Sequence, residues 1–174
     1  FELNQDGSRR LAADGQPVPT YTSIDIREFA KVFTGLSWGG DDEFFGKQVP
    51  RFAQSMQMFD EFHEPGEKRL LNDTVVPAGQ TGMQDLQAGI DNLYNHPNTG
   101  PFVGRLLIQR LVTSNPSPAY IERVARVFAD NGAGVRGDLR TLVGIAPQVE
   151  DERNPQLDEG LGQEVGVVGL EVGL

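Results

Sequence analysis

The chain has two histidines, and one of them stands among acids: in FDEFHEPGEK, His63 is surrounded by Asp60, Glu61, Glu64 and Glu67. An imidazole and carboxylates at such short range can ligate a divalent metal, with His63 and Asp60 as donors, or act as acid and base, with His63, Glu64 and Glu67 sharing the proton work. The spacing is not HExxH. His96, in the HPN turn, supplies the second imidazole, and if it meets His63 and an acid from the same stretch the set becomes a metal or general-base site. Plainer readings compete with both. His63 then contacts a carboxylate or backbone group within a solvated acidic loop, Lys68 pairs with one of the nearby acids on the surface, and His96 fixes the junction between two helices by a hydrogen bond.

Arginines are the other concentration of chemistry. Arg105, Arg110, Arg123, Arg126, Arg136 and Arg140 lie on or beside candidate helices, and a guanidinium binds carboxylate or phosphate through two parallel bonds. Arg105 and Arg110 are the anion-binding candidates. The competing reading is a solvated helix surface with salt bridges to Glu122, Asp130 or Asp138. TSNPSP offers hydroxyls, but no histidine or acid stands where it would activate a serine, and no GxSxG elbow exists. Trp38 beside GGDD suits stacking on a sugar, or burial at the edge of a helix. The glycines form neither a P-loop nor a dinucleotide fingerprint.

Composition narrows the classes further. A formal charge of −10 over 174 residues disfavours binding to a phosphate backbone, which needs Lys and Arg to displace counterions. The charge is uneven: 101–140 holds six arginines against three acids, whereas 147–174 holds seven acids and one arginine. With no cysteine, disulfides, thiol catalysis and thiolate-bound metals are excluded. No stretch approaches the roughly 18 consecutive apolar residues of a membrane span. A chain starting at Phe1, with no leader before it, reads as a processed or truncated piece.

The elements that must position these residues are mostly helical. Two DG dipeptides and PVP make the first twenty residues a turn-rich lead-in. Thr22 and Asp25 form a capping box before Ile26, Phe29, Ala30 and Phe33, predicting a helix over 23–34 that stops at Gly35. Between Ser37 and Gly79, Pro and Gly interrupt every period, so this is a long irregular excursion, with a short hairpin of 56–59 and 69–76 across EPGE. A second capping box at Thr81 and Gln84 opens a helix to about Asn95, whose apolar stripe is Met83, Leu86, Ile90, Leu93 and Tyr94. Pro101 starts a third helix carrying Phe102, Leu106, Ile108, Leu111 and Val112. Ser117 caps a fourth, with Ile121, Val124, Ala125 and Phe128 inward, and a fifth covers 138–145. Short turns join these four, so the expected fold is mainly α: a small antiparallel helical bundle with a long irregular excursion, forming one domain over 1–146. Residues 147–174, Gly- and Val-rich at their end, are expected to be an extended or disordered tail.

Five separated blocks carry a resemblance: YTSIDIREFAKVFTG, FHEPGEKRLL, VPAGQT, NHPNTGPFVGRLLIQRLVTSNPSPAYIERVARVFADNG and GVRGDLR. In this order they resemble the C-terminal half of the bacterial domain of unknown function 1800 family, over roughly residues 1–145. After Arg140, TLVGIAPQVEDERNP departs from the family's apolar helix and DPEAR-like block. The resemblance implies a large, mainly helical, commonly exported protein, hence periplasmic or extracellular, often encoded beside the sulfatase-like domain of unknown function 1501 family, whose members become candidate partners. It assigns no activity. The leading expectation is therefore an interaction module of an exported protein, and the alternative is a metal-assisted hydrolase of a polysaccharide or ester, centred on His63 and His96. The hydrolase requires the two histidines to converge; the interaction module requires an exposed apolar or Arg-rich patch.

Overall fold

A computed structural model describes residues 1–40, 43–46 and 53–145; the expectation for residues 147–174 falls outside them. The lead-in is a folded ribbon. Leu3 pairs with Arg9 and Leu11 with Pro17 across two tight turns. In the first turn Asp6 accepts from the Ser8 amide at 2.9 Å while Gly7 takes φ +76°, and in the second Asp14 accepts from the Gln16 amide at 3.0 Å. Short carboxylates that bond two residues ahead are what make DG a turn.

Helix α1 runs Ser23–Val32, and its predicted capping box forms: Thr22 Oγ1 accepts from the Asp25 amide while the Asp25 carboxylate accepts from the Thr22 amide at 2.6 Å. Among the described residues the excursion then contributes four two-residue strands. β1 (Leu36–Ser37) pairs antiparallel with β2 (Gln57–Met58), and β3 (Lys68–Arg69) with β4 (Val75–Val76). The hairpin expected across EPGE is therefore corrected. Its two halves separate, the first joining the end of α1 and the second folding on itself around a tight turn in which Asn72 and Asp73 take positive φ. EPGE instead makes a loop whose carbonyls have another use, described below.

Helices α2 (Gly82–Asn95), α3 (Thr99–Leu111), α4 (Pro118–Ala129) and α5 (Leu139–Ile145) follow, with Thr81 and Ser117 capping α2 and α4 as expected. Each helix packs on the next in chain order. Asp138 caps α5; hydrogen bonds from the Thr141 hydroxyl, and then from the Asn131 amide, hold its carboxyl at about 2. No helix among the described residues is long and apolar enough to cross a membrane.

Two small cores result. Val32, Leu70 and Val76 join α1 to the second hairpin, with Phe29 and Leu86 against them; Ile108, Tyr120, Ile121, Val124, Phe128 and Leu142 join α3, α4 and α5. Helix α4 buries the stripe read from its sequence. Helices α1, α2 and α3 do not: Ile26, Phe33, Met83, Ile90, Leu93, Tyr94, Phe102, Leu106 and Leu111 are exposed. The buried faces are instead Gly82, Asp85 and Gly89 on α2, and Gly100, Gly104 and Ile108 on α3. Small residues go inward because they set the distance between elements. A Cβ at Gly104 would lie 3.1 Å from Val124 Cγ1, and one at Gly89 only 2.9 Å from Val32 Cγ1. At such separations a backbone meets its neighbour directly, and bulkier residues are left for the other face.

Gly89→Ala should therefore destabilise the fold by about 1–3 kcal/mol through overpacking, even though Ala is the better helix former by ~1 kcal/mol. Gly144→Ala, where a Cβ would meet nothing within 4 Å, should be neutral or slightly stabilising. Urea unfolding of the two variants checks this, and an unshifted Gly89→Ala midpoint contradicts the close approach.

Candidate functional site

The last turn of α1 begins the site. Thr34 donates its hydroxyl to the Lys31 carbonyl at 2.6 Å and accepts from the Glu64 amide at 2.8 Å, clasping the helix end to the EPGE loop. Gly35 follows with φ +84°, where a Cβ would lie 2.7 Å from the Phe59 carbonyl oxygen. This turn places the Thr34 carbonyl 2.9 Å from His63 Nδ1. On its other side His63 Nε2 lies 2.9 Å from Asp85 Oδ2, in the first turn of α2. The same carboxylate oxygen receives Lys68 Nζ at 2.5 Å. Lys68 also donates to the carbonyls of Glu64 at 2.5 Å and Gly66 at 2.9 Å, so the loop wraps its own ammonium group.

The side chains of Lys68 and Asp85 are 1% exposed and that of His63 is 2%. Sealing charges this way is costly unless their bonds are made, and nearly all are. Three acceptors take the three ammonium protons of Lys68, and both ring nitrogens of His63 face oxygens. Asp85 Oδ1 is the exception, buried with no hydrogen-bond partner among the described residues. Chemically the cluster is closed: no nitrogen keeps a free lone pair facing solvent, as a general base needs. What it does is join α1, the EPGE loop and α2.

His96 sits elsewhere. It is the C-cap of α2, eleven residues beyond Asp85, or about 16 Å along the helix. The structure therefore puts the two histidines at opposite ends of one helix and does not bring them together. His96 Nδ1 accepts from the Asn98 amide at 3.1 Å, and its carbonyl accepts from Thr99 and from Arg136, tying α2 to α3. Burial holds its ring below the usual value of 6.5, against an opposing pull from Glu2. The remaining sequence candidates are dispersed. Asp60 accepts from the Gly82 amide at 2.7 Å at the start of α2, Glu64 accepts from the Gly66 amide at 3.1 Å, and Glu67 is exposed. Arg105 and Arg110 are exposed on α3. Trp38 packs edge-on against Phe45, ring centroids 6.0 Å apart. Among the described residues no three metal-ligating side chains gather.

Two members of the cluster escaped the sequence reading. Lys68 is a buried ion-pair partner and not a surface one, and its anion is Asp85, seventeen positions away, not an acid of its own loop. Nothing in its local sequence singles out Asp85, which stands between Met83 and Leu86. The signal that could have found it is Gly82, Asp85 and Gly89 at helical spacing, an acid on the face that small residues mark as close-packed.

A family model described as a protein of unknown function (DUF1800) matches residues 10–154. The chain belongs to that family. The DUF1800 match extends past Arg140, where the sequence was expected to depart from the pattern. Comparison with curated proteins and with solved structures finds no match. Within this DUF1800 chain, the FHEPGEKRLL block thus supplies His63 and Lys68 to the buried cluster, and NHPNTG forms the α2–α3 junction.

Asp85→Asn removes the anion from between two buried donors and should cost about 3–5 kcal/mol in urea unfolding, whereas Glu67→Gln on the exposed loop should stay within about 0.5 kcal/mol. Equal effects would contradict a supporting role for the cluster. For His96, a lowered folded value means the unfolded chain binds the proton first as pH falls. Its contribution to stability is present above pH 6.5 and is lost as pH drops through the lowered value. His96→Asn, which keeps an acceptor for the Asn98 amide, should therefore lose less stability between pH 7 and 5 than the unmodified chain, measured by unfolding at each pH.

Proposed function

We propose that this chain is an interaction module, the C-terminal part of an exported protein working in the periplasm or outside the cell. The observation that carries this reading is the reversed amphipathicity of α2 and α3. Ile90, Leu93, Phe102 and Leu106 are 49%, 44%, 62% and 43% exposed, although their helices could have turned them inward. Single exposed apolar side chains are ordinary, but a contiguous face of this kind marks a surface that another molecule covers. Its partner, on the family resemblance, is a sulfatase-like protein of the domain of unknown function 1501 family. The hydrolase alternative draws no support from the geometry, since His63 is sealed and His96 stands at the far end of α2.

The test is direct binding between the purified chain and a purified domain of unknown function 1501 protein, by isothermal titration calorimetry. Leu93→Asp and Phe102→Asp, both on the exposed face, should weaken association at least about tenfold, the loss expected of buried apolar anchors. Affinity that both substitutions leave unchanged would sink the assignment of this face, and absence of binding would sink the assigned partner.

A further inference from the structure

The exposed face contains a trough of about 820 Å³, walled on one side by the N-terminal ribbon and on the other by α2 and α3. Its apolar lining includes Phe1, Ile90, Leu93 and Phe102. Of the polar side chains that also line it, Asn98 is bonded to Leu3, Phe1 and Thr20, Thr99 to the Leu93 carbonyl, Tyr94 to the Arg136 carbonyl and His96, through Nδ1, to the Asn98 amide; Tyr21 completes the set. Among the described residues no carboxylate lines it, in a chain whose formal charge is −10.

One cation lines the trough, and a second lies beyond it at the far end of α3. The first, Arg9, lies over the Phe1 ring, 4.9 Å from its centroid, and the Phe1 carbonyl is bonded to Asn98 at the N-cap of α3. Arg9 thus marks the start of α3. Helical spacing continues the trough's face of α3 from Thr99, Phe102 and Val103 through Leu106 to Arg110, at the helix's end. Among the described residues, neither guanidinium is in a salt bridge with a carboxylate. The distance from Asn98 to Arg110 is twelve residues of helix, roughly 18 Å.

We infer that the trough receives an amphipathic α-helix of about three turns, apolar on the side facing Phe102 and Leu93, with an acidic residue at each end to meet Arg9 and Arg110. An open trough extended by an exposed helical stripe suits a helix laid alongside α3 better than a small ligand, because helix ridges pack into the grooves of a second helix along their length. Positive charge from Arg9 in the trough and from Arg110 at the end of the exposed stripe of α3 sets the partner's charge and its register. The inference rests on the interaction reading and specifies the chemistry of the partner.

The probe is a fluorescein-labelled sixteen-residue helical peptide with leucines at positions 4, 7, 8 and 11 and glutamates twelve residues apart at its ends. A version with lysines at the ends and a scrambled version accompany it. Fluorescence anisotropy should show saturable one-to-one binding of the Glu-ended peptide, at least tenfold tighter than the Lys-ended one, and weakening at high salt. The exposed double substitution Arg9→Glu, Arg110→Glu should reverse that preference while the protein stays folded, its melting temperature falling by no more than a few degrees. Equal binding of the scrambled or Lys-ended peptide, or no saturation, overturns the inference. A dimer seen by light scattering and dissociated by Phe102→Asp would also overturn it, assigning the trough to a second copy while leaving the interaction reading standing. A monomer that binds no peptide, and whose partner affinity ignores Phe102→Asp, rejects both.

Discussion

The Asp85 carboxylate is the constraint on which the rest of this structure depends. One oxygen holds both Lys68 and His63, and those residues are anchored by backbone carbonyls, at Glu64 and Gly66 for the lysine and at Thr34 for the histidine. Three segments with little apolar material between them, the end of α1, the EPGE loop and the start of α2, are thereby joined by directional bonds. The adjoining core is small, with Val32, Leu70 and Val76 as its buried members. Ionic bonding of this kind confers register more than net stability, since desolvation offsets much of the attraction. Register is what an irregular excursion lacks.

Once α2 is held by its Asp85 face, its other side is determined. Gly82 and Gly89 flank the acid on the buried face, and the stripe carrying Met83, Ile90 and Leu93 turns to solvent. Helix α3 follows the same logic through Gly100 and Gly104 against α4. The fold therefore gives up burial of several large side chains in exchange for close backbone contact.

How much of this was legible depended on the range of the forces involved. Caps are local, and Thr22, Thr81 and Ser117 all start helices where the sequence placed them. The inward stripe of α4 was legible because apolarity and burial coincide there. On α2 and α3 periodicity announced the helices but not which face is buried, since a hydrophobic stripe is the same whether it faces a core or a partner: of the apolar residues named on α3 only Ile108 is fully buried. The pairing of β1 with β2 was not legible, because two-residue strands have no alternation to read. In the site, His63 was visible as an imidazole near acids. Its true anion was hidden by distance along the chain, as was the separation of the two histidines, which only the length of α2 settles.

The Asn98 side chain, bonded to Leu3, Phe1 and Thr20, has a kinetic meaning as well. Helices α3 and α4 are neighbours in sequence and can meet early, since short loops close at small entropic cost. The bond from Leu3 to Asn98 closes a loop of 95 residues, and such long-range contacts come late. The ribbon is thus the final wall to be set in place. Until the two ends of this stretch have found one another, the trough does not exist, so the helix proposed to bind there would recognise only the closed ribbon and, by binding, would hold it shut.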